Sequence, residues 1–437
     1  MKARAMMVVA VAGCQAPPPS ETPKAPPTVV TDSAVAPRAP FRSLPPPMLP
    51  VDCKEAARVG AVEFCGQRLG TAVTHAACHR TDQVSTAALA CLPELRSLTL
   101  RNTKVARLEP LWRLTHLRRL NLSRTNVVDL GPLTGVRSLR ELALDGTQVI
   151  DLTPLAALPE LSKLRLRGTP SVDWSTLSGL PSLSELDVTG NQRPDLSALA
   201  GHAVLQRVSV PDSVTDVTPL VDMPELRKLV VRHEYFEGAD EERQRRVVEG
   251  LGAITELREL VLHGSKATSL APLASMSKLE SLWFDAPRVT SLAPLTKLEN
   301  LSFVGLADTR GLGDRRQAEL SSLGSLPKLV SLTVFLSPHD TSYLRAFPRL
   351  EGLALSALPY ETLDISGIAA LPKLDVLEIH GGKVERLSPL VRAKGLTRFE
   401  IKPSADVPSS EVEALRRARP RLDISYSPEA SDGPDDW

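Results

Sequence analysis

Leucine returns in this chain on a beat of about 22 residues, and that beat runs from residue 95 to about residue 424. Leu95 opens LRSLTLRNTKVARLEPLWRLTH and Leu117 opens LRRLNLSRTNVVDLGPLTGVRS. Leu139 opens LRELALDGTQVIDLTPLAALPE, and Leu161 opens LSKLRLRGTPSVDWSTLSGLPS. The frame returns at Leu183, Leu205, Leu226, Leu257, Leu279, Leu298, Leu329, Leu350, Leu374 and Leu396. A degenerate first copy starts at Val73 and a last strand begins near Leu422, about fifteen copies in all. A unit this short cannot bury an apolar face alone. Stacked copies can, so the period demands a solenoid rather than one conventional core.

Each part of the copy has a mechanical role. In Leu-x-x-Leu-x-Leu the last two leucines alternate as a strand requires, pointing inward while their neighbours face out. Stacked copies then form one parallel sheet, the concave wall. Three residues on come Thr103, Thr125, Thr147, Thr169, Asn191 and Ser265. A small hydrogen-bonding side chain there can satisfy backbone groups where the chain leaves the strand. Pro-Leu recurs at Pro110, Pro132, Pro154, Pro219, Pro272, Pro294 and Pro389, which suits the start of a short helical or 3₁₀ turn on the convex side. A second set (Pro93, Pro159, Pro181, Pro224, Pro327, Pro348, Pro372) sits two residues before the next opening leucine and bends the chain back.

These motifs resemble the bacterial leucine-rich repeats of the internalin type, which share the repeat length and the x-Pro-Leu segment. The resemblance spans residues 73 to about 424, with Thr or Ser mostly standing where that family has Asn. It implies an α/β solenoid, a horseshoe with a parallel concave sheet and short convex helices or 3₁₀ turns, and it implies protein recognition. Two copies are long. Between Leu226 and Leu257 the segment Glu241 to Val248 is expected to extend the convex helix, and between Leu298 and Leu329 so is Asp314 to Leu323.

The N-terminus reads differently. Lys2 and Arg4 precede an apolar stretch, Ala5 to Ala12, that ends in Val11-Ala12-Gly13-Cys14, a basic start and small-residue end typical of an export signal. Those four residues resemble the lipobox of bacterial lipoproteins, which implies lipidation at Cys14 and, with Gln15 following, an outer-membrane destination. Residues 15–50 hold twelve prolines and no aliphatic period, so a disordered, extended tether is expected. Cys53, Cys65, Cys78 and Cys91 come next, and no cysteine follows them. An even set at one end of an exported chain predicts two disulfides, with three possible pairings. They would staple a cap over residues 51–94. His75 and His79 flank Cys78, but the paired short spacing of a zinc site is missing. The acidic end, residues 425–437, is expected to be disordered.

Function is expected on the outward positions of the strands. In the first half these are basic: Arg101, Arg119, Lys163, Arg165, Arg167, Arg207, Lys228 and Arg232, interrupted by Glu141, Asp145, Glu185 and Asp187. In the second half they turn apolar, with Val230, Val261, Trp283, Val304 and Phe335. Trp283 and Phe335 are the strongest candidates, since aromatic anchors dominate binding interfaces. Fourteen strands about 4.8 Å apart give a face on the order of 65 Å long, which suits a protein or long peptide rather than a metabolite. The 52 basic and 51 acidic residues nearly cancel, unlike a dedicated nucleic-acid binder. No phosphate loop, His-Glu-x-x-His or Gly-x-Ser-x-Gly occurs. The expectation is a monomeric, non-enzymatic, envelope-anchored binder without a cofactor, touching a membrane only through its lipid. The alternatives are a binder of acidic surface polymers through the basic columns, or an architectural spacer.

Overall fold

The computed structural model describes residues 53–426, apart from 80–84, 171–172, 193, 212, 215, 233–240, 264–266, 286–287, 336–339 and 359. The segments expected to be an export signal ending at Cys14 and a tether, the ladder residue Ser265 and the acidic residues beyond 426 lie outside the described residues.

Sixteen strands form one sheet in strict chain order, from His75–Ala77 to Asp423–Tyr426. Every pairing within it is parallel, and the repeats stay in register: Leu98 faces Leu120, which faces Leu142, which faces Leu164. Short 3₁₀ turns return the chain on the opposite side, for example Glu109–Arg113, Gly131–Gly135 and Thr153–Ala157, each with proline in its first positions. The two long copies carry α-helices there, Glu241–Leu251 and Arg316–Ser322. Among the described residues no helix is long and apolar enough to cross a membrane.

The leucines supply the core. Leu95, Leu117, Leu139, Leu161 and Leu183 are fully buried in one column, and the strand leucines stack beside them. Each contributes about 1.5–3 kcal/mol of burial. The threonine ladder forms as the spacing implied: the Oγ1 hydroxyls of Thr103, Thr125, Thr147 and Thr169 donate to the carbonyls of Leu100, Leu122, Leu144 and Leu166 at 2.7–3.0 Å. At Asn191 the amide reaches two carbonyls, Leu166 and Val188. A second ladder escaped the sequence reading. Asp129, Asp151, Asp173, Asp195 and Asp216 each accept the backbone N–H two residues on, at 2.7–3.0 Å, and so cap the 3₁₀ turns.

Two disulfides close the first end, Cys53–Cys91 and Cys65–Cys78, resolving the three pairings that spacing left open. The second joins the turn of a hairpin, Ala61–Phe64 with Gln67–Gly70, to the end of the first strand of the sheet, while the first ties the helix Lys54–Val59 to the turn Ala87–Cys91. Beside Cys78, His75 hydrogen-bonds Thr74. At the other end Arg419 donates to the carbonyls of Leu390, Ala393 and Leu396, so a guanidinium satisfies acceptors that a further repeat would otherwise meet.

The reading frame needs one correction. Leu301, not Leu298, is the opening leucine of its copy: Leu298 follows the 3₁₀ turn as Met276 does, and the N–H of Leu301 bonds to its carbonyl. The long copy therefore runs 28 positions from Leu301 to Leu329. A leucine at either place fits the local spacing, which is why the sequence alone misled.

One core column contains an intruder. His202 occupies the place of Leu158 and Leu180 and is only 7% exposed. Burial pushes its pKa below the ordinary value, and the facing carbonyls of Leu177 and Leu180 oppose this only in part. Those carbonyls stand near the ring, but neither nitrogen makes a well-formed hydrogen bond to them. The folded chain thus holds His202 neutral at pH values where the unfolded chain protonates it. Its stability is fully present above the unfolded pKa of about 6.5 and declines as pH falls towards the depressed folded value. Replacing it should flatten that decline: thermal melts at pH 7.5 and pH 5 should show a smaller drop in Tm for His202→Leu than for the parent.

Candidate functional site

Because the strands are in register, outward side chains fall into columns. Counting the opening leucine as position one, positions three, five and seven face out along each strand. The third column reads Arg119, Glu141, Lys163, Glu185, Arg207, Lys228, Glu259. The basic residues are therefore interleaved with carboxylates one strand away. Glu185 sits between Lys163 at 3.3 Å and Arg207 at 3.5 Å, and Lys228 meets Glu259 at 3.0 Å. Arg165 bonds Asp145 at 2.5 Å, with side chains only 14% and 15% exposed, and Asp145 also accepts the backbone N–H of Arg167. The Arg167 guanidinium reaches Asp187 at 3.7 Å. Arg119 lies 3.5 Å from His75. Most of the positive charge predicted for this half is internally compensated, which leaves little field for a polyanion.

The second half of the face differs. Val261 and Trp283 stand in the fifth column, as the spacing predicted, and both are partly exposed. Val230 occupies the same column but is covered, at 8% exposure. Val304 does not face out at all. It pairs with Leu282 and is fully buried in the core. The shift to Leu301 as opening leucine moves Phe303 into the third column and Gly305 into the fifth, so Phe303 is the aromatic residue that strand presents.

That correction assembles a cluster. The Trp283 and Phe303 rings are nearly parallel, 11° apart with centroids at 6.2 Å. Phe335, in the seventh column, meets Trp283 edge-on at 5.5 Å. His263 and His380 extend the group, 6.4 Å from Trp283 and 5.2 Å from Phe335. Sequence reasoning missed Phe303, His263 and His380. The first is lost with the frame, while both histidines stand in the same seventh column as Arg232 and Phe335 and lie within reach of the leucine frame.

The cluster depends on a small neighbour. A Cβ added at Gly305 would lie 2.1 Å from Cε3 of Trp283, so the indole lies across Gly305. The indole Nε1 is buried there without a hydrogen-bond partner. Arg232 ends the strand Lys228–Arg232 beside His263, and its Nε is likewise buried and unpaired. Burial lowers the pKa of His263, with the Arg232 charge adding to the effect and Asp285 opposing it. The lowered pKa keeps His263 itself uncharged at neutral pH, so no second cation joins Arg232 at this edge of the cluster. Among the described residues no group of His, Cys, Asp and Glu is arranged to hold a metal ion.

If the indole rests on Gly305, then Gly305→Ala should lift it from the sheet at a cost of about 1–3 kcal/mol. Acrylamide quenching of the Trp283 contribution, isolated by comparison with Trp283→Phe, should increase. Unchanged quenching would disprove the packing.

Comparison with known proteins places the fold. Residues 76–388 match the family described as leucine-rich repeat region. Among solved structures, an internalin (inlF) from Listeria monocytogenes is similar at 20% identity, covering 76% of this chain and 89% of that one, with a TM-score of 0.46. Internalin C2 of the same organism is similar at 25% identity over 45% of this chain and 85% of that one, TM-score 0.38. A leucine-rich-repeat protein of Leptospira interrogans shares 17% identity over 79% and 93%, TM-score 0.39. No curated protein matches. With its family match covering most of the length and the ladder of leucines built as described, the chain belongs to the leucine-rich repeat family.

Proposed function

We propose that this chain is a non-enzymatic recognition module that binds a protein or peptide on the open face of its sheet, held at a bacterial envelope through lipid on Cys14. The observation that carries the first part is the cluster of Trp283, Phe303 and Phe335, three aromatic rings gathered on the outward side of the sheet. Aromatic side chains bring large contact area at low entropic cost, and they concentrate binding energy. Proteins of this repeat family are in general binding modules, which fits the same reading. Val261 and Arg232 border the cluster, whereas Val230 and Val304 are withdrawn from it.

The competing reading, a binder of acidic polymers through Arg119, Arg165 and Arg167, is weakened by the carboxylates that already engage the face's cations. The two readings separate by salt, because charge-driven binding fades as ions screen it while apolar anchoring persists. A purely architectural role would leave the aromatic cluster without a purpose.

The test is a pull-down from envelope extract with the parent chain and the double variant Trp283→Ala/Phe335→Ala, both checked for equal folding by circular dichroism. A partner bound by the parent should be lost or weakened at least about 30-fold in the variant, the effect of losing one interface anchor of about 2 kcal/mol. Equal capture by both would remove the site from the cluster. For the anchor, cell fractionation of Cys14→Ser should move the protein from membranes to the soluble fraction. A variant that stays membrane-bound would rule out lipidation at that residue.

A further inference from the structure

The aromatic cluster borders a stretch of face with almost no side chains on it. The strands Ser331–Val334 and Gly352–Leu355 present Ser331, Thr333, Gly352, Ala354 and, just beyond, Ser356. Nothing larger than threonine stands on either strand. Phe335 leaves the first of them and leans past Ser356 to reach His380 two strands away, with ring centroids 5.2 Å apart. Two strands at about 4.8 Å make a trough roughly 10 Å wide. Trp283 and Phe303 wall one side, and Phe335 with His380 closes the end.

The opposite wall is charged. Glu378 and Glu400 pair directly across neighbouring strands, and Glu351 and Asp375 stand at the entry to the floor and wall strands. Arg398 and Lys402 stand on either side of Glu400 along its strand, and both act on Glu378. Lys402 is bonded to Glu400 at 3.1 Å, and Glu378 takes the Nε2 of His380 at 2.8 Å. The His380 hydrogen bond, with the fields of Lys402 and Arg398, holds the Glu378 carboxyl below its ordinary value, so it stays ionised. In the first half of the face cations and carboxylates largely alternate. Here Glu378 and Glu400 adjoin in one column, with no cation between them, beside an apolar wall.

We propose that this trough seats an extended segment of the partner that offers an apolar or aromatic side chain to Trp283 and Phe335 and a lysine or arginine to Glu378 and Glu400. The proposal rests on the recognition reading given above and names the chemistry of the ligand. The spacing follows from geometry. Glu378 is two strands from Thr333 and Glu400 is three, about 10 and 14 Å. Along an extended chain, residues on one side recur every second position, about 6.6 Å apart. The cationic residue therefore falls two or four positions from the anchor. The anchor supplies contact area, while the charge fixes direction and excludes acidic competitors.

The probe is a phage-displayed library of random dodecapeptides panned on the full chain. Enriched sequences should share an aromatic or large aliphatic residue with Lys or Arg two or four positions away. Panning on Glu378→Gln/Glu400→Gln should retain the apolar residue and lose the basic one. A synthetic peptide of the parent consensus should bind that variant about tenfold more weakly than it binds the parent. Should the double variant fold poorly, the consensus peptide and its Lys→Gln analogue titrated against the parent chain give the same comparison. Enrichment of acidic or charge-indifferent peptides, or equal binding of peptide and analogue, would overturn the proposal while leaving the aromatic site intact. Peptides that bind the Trp283→Ala/Phe335→Ala chain undiminished would instead sink the recognition reading itself.

Discussion

The backbone ladder between successive strands is the constraint on which everything else in this protein depends. It sets each copy about 4.8 Å from the next, so every inward side chain must sit directly on its counterpart in the copies above and below. Only side chains of matching volume can form such a column, and leucine fills most of them. The same spacing makes the capping residues periodic. A carbonyl left over at the end of one strand recurs from copy to copy, and in four successive copies so does the threonine hydroxyl that satisfies it. Stability is accordingly close to a sum of neighbour terms, and the two ends need special treatment. Disulfides meet that need at one end and the Arg419 guanidinium at the other.

The ladder governs the outer face just as strictly, with different consequences. Charges placed in one column stand a strand apart, close enough to repel strongly if alike. The run from Arg119 to Glu259 largely alternates in sign, and where Arg207 and Lys228 adjoin, each has its own glutamate on the far side. Such a face is electrostatically quiet. Aromatic rings meet the opposite difficulty, since an indole is wider than the strand spacing and must overlap the next column. It fits only if the next residue is small. Gly305 beneath Trp283 and Ser356 beneath the Phe335–His380 contact are that accommodation.

Much of this was legible in the sequence because a repeated fold writes each rule many times. The leucine frame, the threonine ladder, the proline-led turns and the exposure of Trp283 and Phe335 were all read from spacing. What was lost was lost for local reasons. Leu298 and Leu301 both suit the opening position, and only the hydrogen bond between them decides, so Val304 was taken for a surface residue and Phe303 was overlooked. Asp129, Asp151 and Asp216 lie three residues before Pro132, Pro154 and Pro219, which draw attention to the same turns. The pairing of Arg165 with Asp145 and of Lys163 with Glu185 requires knowing which strand lies beside which, and how far a side chain reaches along it. A column of basic residues in a linear sequence says nothing about the carboxylates that the register brings alongside.

The cluster is hard to explain by stability alone. Glycine within a strand costs roughly 0.5–1 kcal/mol against a residue with a side chain, and a buried donor without an acceptor costs about 1–3 kcal/mol more. Both occur at one spot, Gly305 beneath an indole whose Nε1 is unpaired. A valine at 283 opposite a threonine or serine at 305 would continue the neighbouring columns, bury comparable surface per strand and leave no orphaned donor. Trp283 instead spreads across two columns and, with Phe303 and Phe335, gives the sheet its one broad aromatic surface among the described residues. Under the recognition proposal, these costs fall where a partner's side chains would cover the rings and use the contact area they offer.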